Sequence, residues 1–285
     1  MAESLIDVRS RIASTKKTSQ ITKAMYMVSS SKVKRSQQAY FNYQDFLDRM
    51  RALVAKTLNS VGDDFHYPMF EKREVKTTAY LLISSDTGLA GAYNANVFKH
   101  FEQLVATNSG SYVVGTIGRK AFAYIKSKKH PLINTTPTLI RDDVMYVDIV
   151  PIAKQFVQAY LRGEIDKLVI VYNHFVNSLT TETTSEVLLP VKKIETDVVE
   201  REFLFEGGIE NIVDEIMPMY IQAVIYGIIL DAKISEHSSR MNSMKNATDN
   251  ATEVIDKLQI LYNRARQSAI TTELIDIIAG ANAVE

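Results

Sequence analysis

Met244, Ala247, Ala251, Val254, Leu258, Leu261 and Ala265 succeed one another at alternating steps of three and four residues. That spacing lines up side chains along one stripe of an α-helix and predicts a coiled-coil seam. Tyr40, Tyr43, Leu47, Met50 and Val54 repeat it near the other end of the chain. The small residues in the later seam allow a partner helix to approach closely. Beyond it the apolar positions thicken where a helix would ordinarily fray. At 100° per residue, Ile270, Leu274, Ile275, Ile277, Ile278, Ala281 and Val284 cover an arc of about 180°.

The middle of the chain has a different rhythm. "TTAYLLISS", "SYVVGTIG" and "DKLVIVYNHF" are short apolar runs of β-forming residues. Between them lie helix-like stretches, "AYNANVFKHFEQLVAT", "RKAFAYIKSKK" and "VDIVPIAKQFVQAYLRG". Strands alternating with helices predict parallel βαβ units, and "TETTSEVLLPV" follows as a hairpin partner or edge strand.

Glycine and proline mark the same division. The first 61 residues contain neither, no proline occurs from Met219 onward, and nine of the 11 glycines and all six prolines lie between. Because these residues punctuate structure, the expectation is an N-terminal helix over 1–60, a central α/β domain over 61–208 and a C-terminal helix over 209–285. At 1.5 Å per residue the two helices would reach about 85 and about 110 Å. Helices that long are coiled coils, membrane spans or repeats. The longest apolar run, "IQAVIYGIIL", is half of what a bilayer needs, and no internal repeat is present. The predicted class is therefore α/β, a long antiparallel coiled coil of the terminal helices plus a Rossmann-like domain. Two helices that leave one domain and pack on each other must run antiparallel. The C-terminal one then overhangs by roughly 16 residues, or about 25 Å. An apolar overhang without a partner in its own chain predicts burial in another protein; docking back on its own domain is the competing reading.

Charge sharpens this picture. Lys plus Arg equals Asp plus Glu at 33 each, so the net charge offers no argument for nucleic acid or an anionic membrane. Locally, residues 1–60 carry eleven Lys and Arg against four Asp and Glu, whereas residues 209–285 carry six against eleven. A basic helix thus faces an acidic one. Cysteine is absent, which excludes disulfides, thiolate metal sites and cysteine nucleophiles. The N-terminus, "MAESLIDVRSR", has neither the apolar core of a signal peptide nor the acid-poor character of a transit peptide, so a soluble, uncleaved intracellular chain is expected.

Candidate chemistry is sparse. "SSDTGLAGAYN" follows the first strand and opens a helix, where α/β folds bind phosphates, and Gly88 and Gly91 would let backbone approach a ligand. It does not fit the dinucleotide fingerprint, and no P-loop occurs, so a tight strand-to-helix turn is the simpler reading. His66, His100, His130, His174 and His237 are scattered without metal-ligand spacing. Asp142 and Asp143 are adjacent and would not aim at one substrate. Lysines in "TKK" and "SSSKVKR" read as a solvated basic face or a contact for an acidic protein. No catalytic residue, cofactor or metal is expected.

Several stretches resemble one family. "ITKAMYMVSSSKVKR" is similar to the near-N-terminal I-T-K-A/S-M-x-M-V block of the gamma subunits of F-type ATP synthases. "ITTELIDIIAGANA" matches their C-terminal signature position by position from Ile270 to Ala283. "DAKISEHSSRMNSMKNATDNA" and "YNRARQ" are also family-like, and "SSDTGLAGAYN" resembles the family's S-D-R-G-L loop, with Thr87 where Arg is usual. The resemblance covers essentially the whole chain. It implies a rotating central stalk that couples proton flow to ATP synthesis. The implied partners are a ring of alpha and beta subunits around the coiled coil, with the epsilon subunit and the membrane c ring at the α/β domain. There would be no nucleic acid partner and no membrane span. ATP chemistry would belong to the ring, and a bacterial cytoplasmic membrane face is the implied location. By the same resemblance Lys23, Ala24 and Met25, with Lys32, Lys34 and Arg35, would face the acidic lever loop of a beta subunit. Arg266 and Gln267 would form a catch on a beta loop. Asp86, Gly88 and Gly91 lie in a loop that would face the ring or epsilon, and Ile275 and Ile278 in the buried tip. A nucleotide-dependent enzyme with helical arms and a coiled-coil scaffold that bridges DNA are the alternatives.

Overall fold

The computed structural model describes residues 5–59, 67–71, 73–192 and 209–282. His66, Val284 and the expected junctions near 61 and 208 lie outside them. In chain order the elements are α1 (Leu5–Asn59), β1 (Thr77–Ile83), α2 (Tyr93–Thr107), β2 (Ser111–Ile117), α3 (Arg119–Ser127), α4 (Tyr146–Leu161), β3 (Lys167–Phe175), β4 (Thr181–Leu189) and α5 (Ile209–Asn282). The terminal helices have 55 and 74 residues, and α5 runs unbroken through Pro218. The chain forms two compact units, one from Met1–Ser29 with Met241–Glu285, the other from Ser30–Arg240, so both long helices contribute to both.

The first unit is an antiparallel helix pair. Thr22 Oγ1 accepts from Thr248 Oγ1 at 2.7 Å, and Val8 and Ile12 cluster with Leu258 and Tyr262, so rising numbers on α1 meet falling numbers on α5. On α1, Leu5, Val8, Ile12, Thr15, Ser19, Thr22, Tyr26 and Ser29 are all buried or half-buried at alternating steps of three and four. Half of that stripe is Ser and Thr, which is why a search for apolar residues finds only fragments of it. The α5 seam corrects the expectation at Val254 and Leu261, while the predicted Ala247 is half-buried beside Thr248. Met244, Ala251 and Leu258 are buried and Ala265 half-buried as predicted, but Thr248, Ile255 and Tyr262 turn inward between them, leaving Val254 and Leu261 42% and 46% exposed. A three-four and a four-three register share every seventh residue and differ only in between. The alternatives are chain neighbours, Ala247 or Thr248, Val254 or Ile255, Leu261 or Tyr262. Apolarity does not separate Val254 from Ile255, and Thr248 is tolerated in the seam because its hydroxyl meets that of Thr22 across the interface. From Arg266 to Gly280 every residue is exposed.

The second unit is three-layered. The sheet order is β2-β1-β3-β4, with β1 parallel to β2 and β3, and β4 antiparallel at the edge. All strands and helices predicted for the middle of the chain are present. Alternation along β1 explains the layers, since successive strand residues point to opposite faces. Tyr80 and Leu82 face α2 and α3, with Val97, Phe101, Val114, Ala121 and Ile125. Leu81 and Ile83 face α4 and the terminal helices, with Phe156, Ile170, Val54, Ile221 and Ile228. Gly115 on β2 is needed for this second layer, because any Cβ there would overlap the Phe156 ring.

Here too the helix pair is antiparallel. The Tyr43 hydroxyl donates to the Ala223 carbonyl at 3.0 Å, and Tyr43 packs edge-on against Tyr226. Tyr40, Tyr43, Leu47, Met50 and Val54 form the predicted stripe on α1. From Tyr220 to Ser238 α5 is buried on nearly all sides. A helix that is apolar all round belongs in an interior. α5 also contains an 18-residue window long and apolar enough to cross a membrane, and half of that window is buried within the fold.

Candidate functional site

Two surfaces collect the residues singled out in the sequence. The first lies on the helix pair of the first unit. Lys23 and Ala24 are exposed on α1 and Met25 is half-buried, because the seam positions Thr22 and Tyr26 bracket them. Arg266 and Gln267 are exposed where the seam of α5 ends. Ile275 and Ile278 follow, each 59% exposed, with Ile270, Leu274 and Ile277 alongside. This end of the helix does not fold back onto its own unit, so the docked-back reading fails for the described residues.

The second surface surrounds the loop after β1 in the second unit. Asp86 is spent internally. Its Oδ1 accepts from the Arg119 amide at 2.9 Å and its Oδ2 from the Ile140 amide at 3.0 Å, tying the loop to the start of α3 and to the strand-like segment before α4. Asn94 Oδ1 accepts from the Ser85 amide at 3.0 Å, which holds the loop to the first turn of α2. Gly91 has φ +57°, a conformation that favours glycine. Gly88 stands in open space, so steric need does not explain it. What approaches its backbone is Arg240 of α5. The Arg240 guanidinium donates to the Gly88 carbonyl at 3.3 Å through Nε and to Thr87 Oγ1 at 3.1 Å through Nη2. The loop therefore turns carbonyl oxygens toward a cation of its own chain, the reverse of an anion cradle.

Arg240 belongs to a buried ionic group that sequence reasoning missed. Arg240 Nη2 lies 2.8 Å from Glu236 Oε1, and Lys233 Nζ 3.1 Å from Glu236 Oε2. On a helix these positions are three and four apart and share one face. Burial alone would raise the Glu236 carboxyl, but Lys233 and Arg240 outweigh it and hold its pKa below the ordinary value. His237 is buried, and desolvation pushes its pKa down to about 4. Its Nδ1 faces Arg240 Nη1 at 3.4 Å, so the neutral ring carries its proton on Nε2, 3.3 Å from Asp142 Oδ1. Asp142 also pairs with Lys32 at 2.6 Å. Partial burial works against its charge, yet Lys32, Lys233 and His237 lower its pKa. Lys32 is thus anchored within its own unit, while Lys34 and Arg35 are exposed. The sequence signal for this group was the run Lys233-x-x-Glu236-His237-x-x-Arg240 inside an otherwise apolar helix, where unpaired charge is not tolerated.

Comparison with known proteins gives this arrangement a family. The ATP synthase family profile matches residues 4–284. The chain is 41% identical over 282 residues to the ATP synthase gamma chain of Exiguobacterium sibiricum, covering 98% of this chain and 99% of that one. The chain belongs to the ATP synthase gamma family. A gamma chain is a stalk subunit of a membrane-associated complex. The gamma fold is shared with far more distant structures. Part of the Euglena gracilis mitochondrial ATP synthase superposes with a TM-score of 0.68 at 18% identity, over 98% of this chain and 94% of that one. A chain from the central stalk and c-ring structure of the Tetrahymena thermophila mitochondrial ATP synthase gives 0.59 at 23% identity, over 80% and 99%. In this gamma chain, Arg240 places its guanidinium against Thr87 of the loop after β1.

Proposed function

We propose that this gamma chain is the non-catalytic rotating shaft of its ATP synthase, coupling proton flow to ATP synthesis at the cytoplasmic face of a bacterial membrane. The functional parts are the helix of 1–60, the α/β domain of 61–208 and the helix of 209–285. The alpha and beta subunits surround the helix pair, and the epsilon subunit and membrane c ring engage the α/β domain. The observation that carries this reading is the fully exposed helical extension from Arg266 to Gly280, studded with isoleucine and leucine. An apolar patch of this extent on one chain marks a protein interface. The extension is one continuous helix with the seam, so a sleeve around it would grip the shaft itself. Lys23, Ala24, Met25 and Arg35 lie on an exposed or half-exposed basic stretch suited to the acidic loop of a beta subunit, with Lys32 close by but anchored to Asp142. Arg266, with its planar fork, and Gln267 suit a catch on a beta loop. Catalysis is assigned to the beta subunits, this chain being the stalk subunit.

Rotation is tested by pinning. The chain contains no cysteine, so Met25→Cys introduces its only thiol. A second cysteine in one beta lever loop can bond to it only when the Cα atoms come within about 7 Å. Oxidation of the reconstituted complex should abolish steady-state ATP hydrolysis and reductant should restore it, with crosslink yield read on a gel. Full hydrolysis at near-complete crosslinking, as a static scaffold predicts, refutes the rotary reading.

A further inference from the structure

We propose that α3 and the turn after it form a docking surface for an acidic polypeptide segment of another protein. Arg119, Lys120, Lys126, Lys128 and Lys129 are all exposed within eleven residues. Among the described residues none of the five has an ion-pair partner. Elsewhere in the same unit Lys32, Arg51, Arg73, Arg162, Lys233 and Arg240 each have one. Among the described residues other bases of the unit, such as Lys76 and Lys154, are also without an ion pair, but only here do five stand within eleven residues with no acid among them.

Within this patch the local structure departs from what stability favours at two points. α3 begins with Arg119 and Lys120 and has no acid of its own in the first turn, where the helix dipole favours anions. Only Asp86, from the loop after β1, offsets them through the Arg119 amide. At the other end Lys129 has φ +61°. The His130 amide reaches back to the Ile125 carbonyl and the Lys129 amide to the Lys126 carbonyl. This is the helix-ending motif whose left-handed residue is ordinarily glycine or asparagine. A lysine there sacrifices backbone comfort for a side chain. Departures of this kind gather where function selects the residue.

The patch fits an acidic protein better than a lipid surface. From Arg119 to Lys129 no large apolar side chain is exposed, so the cations themselves form the contact surface, with Leu89 and Leu139 exposed at the border by the Asp86 loop. The carboxylates at its flank are occupied, Glu102 by the Tyr124 hydroxyl at 2.8 Å and His130 Nε2 at 3.2 Å, and Asp86 by the Arg119 and Ile140 amides. That leaves the cations free for a partner's acids.

The full-length chain is titrated into a fluorescent oligoglutamate peptide at low salt, followed by anisotropy. Replacing Lys120, Lys126, Lys128 and Lys129 by Gln should weaken binding at least about tenfold, the sum of several modest exposed pairs. A control with Lys76, Lys154, Lys192 and Lys245 changed to Gln, all exposed elsewhere, should lose no more than about twofold. Equal losses in the two variants, or none in the first, overturn the proposal. So does binding of phosphatidylglycerol vesicles through the same four lysines when the peptide does not bind. Lys129→Gly guards against misfolding, because it relieves the left-handed strain. It should raise Tm while lowering peptide affinity, and a raised Tm with unchanged affinity overturns the role of Lys129.

Discussion

Glu236→Gln is the sharpest probe of the buried ionic group. The substitution keeps shape and removes the charge that Lys233 and Arg240 share at 3.1 and 2.8 Å. The three side chains are 5%, 6% and 10% exposed, so water cannot replace the lost carboxylate. Breaking a buried pair from one side costs about 3–5 kcal/mol. The lower figure fits here, because Lys233 retains Asp142 at 3.7 Å and Arg240 retains the carbonyls of Thr87 and Gly88. For a chain of this size that is a fall in Tm of about 6–12 °C. Calorimetry or circular dichroism of the purified chain at pH 7 reads it directly. Glu164→Gln, which breaks the fully exposed pair with Arg162, is the control and should leave Tm unchanged. The triple variant Lys233→Met, Glu236→Leu, Arg240→Met removes all three charges together and should recover much of the loss, since an apolar replacement of a buried ionic group is often near neutral. The sign with pH follows from the depressed Glu236 pKa. Its stabilisation is present above the unfolded carboxyl value of 4.5 and is lost as pH falls through the folded value. A Glu236→Gln chain that melts within about 2 °C of wild type, on the same slope of Tm with ΔΔG, would refute the argument that charge balance holds this part of α5.

His237 titrates with the opposite kind of group and the same direction. Its pKa is depressed to about 4 from 6.5, so the buried neutral ring contributes fully above 6.5 and its contribution declines as pH falls toward 4. Up to about 3 kcal/mol is at stake, and urea unfolding from pH 7 to 4.5 should show a steeper loss in wild type than in His237→Gln. The corrected seam makes its own prediction. Leu258→Ala should cost about 2–5 kcal/mol, whereas Val254→Ala, at a position 42% exposed, should change stability by no more than about 0.5 kcal/mol. Chemical denaturation of both variants checks the register, and equal losses would restore the sequence-based seam.

Much of this protein is determined by sequence alone. The scarcity of glycine and proline toward both ends of the chain marked the long helices, although α5 runs on through Pro218 and Gly227. The β-rich runs gave β1, β2 and β3 as parallel strands, since buried strands need unbroken apolar stretches. The stripe from Tyr40 to Val54 and the apolar end from Ile270 to Ile278 were legible because burial and its absence follow helical period. Tertiary structure decided the rest, and in each case the deciding partner lay far away in sequence. Ile255 and Tyr262, not Val254 and Leu261, turned into the seam, and Thr248 joined it with Thr22 opposite. Gly115 owes its identity to the Phe156 ring and not to its own strand. The loop from Ser84 to Ala92 had the sequence position of a phosphate site, but Arg240, some 150 residues later, filled it from α5. Charge on a helix can be read from sequence as a pattern of three and four. Whether that face meets water or is sealed with its countercharges depends on what the fold packs against it, and only there do Glu236 and His237 acquire their shifted pKa values.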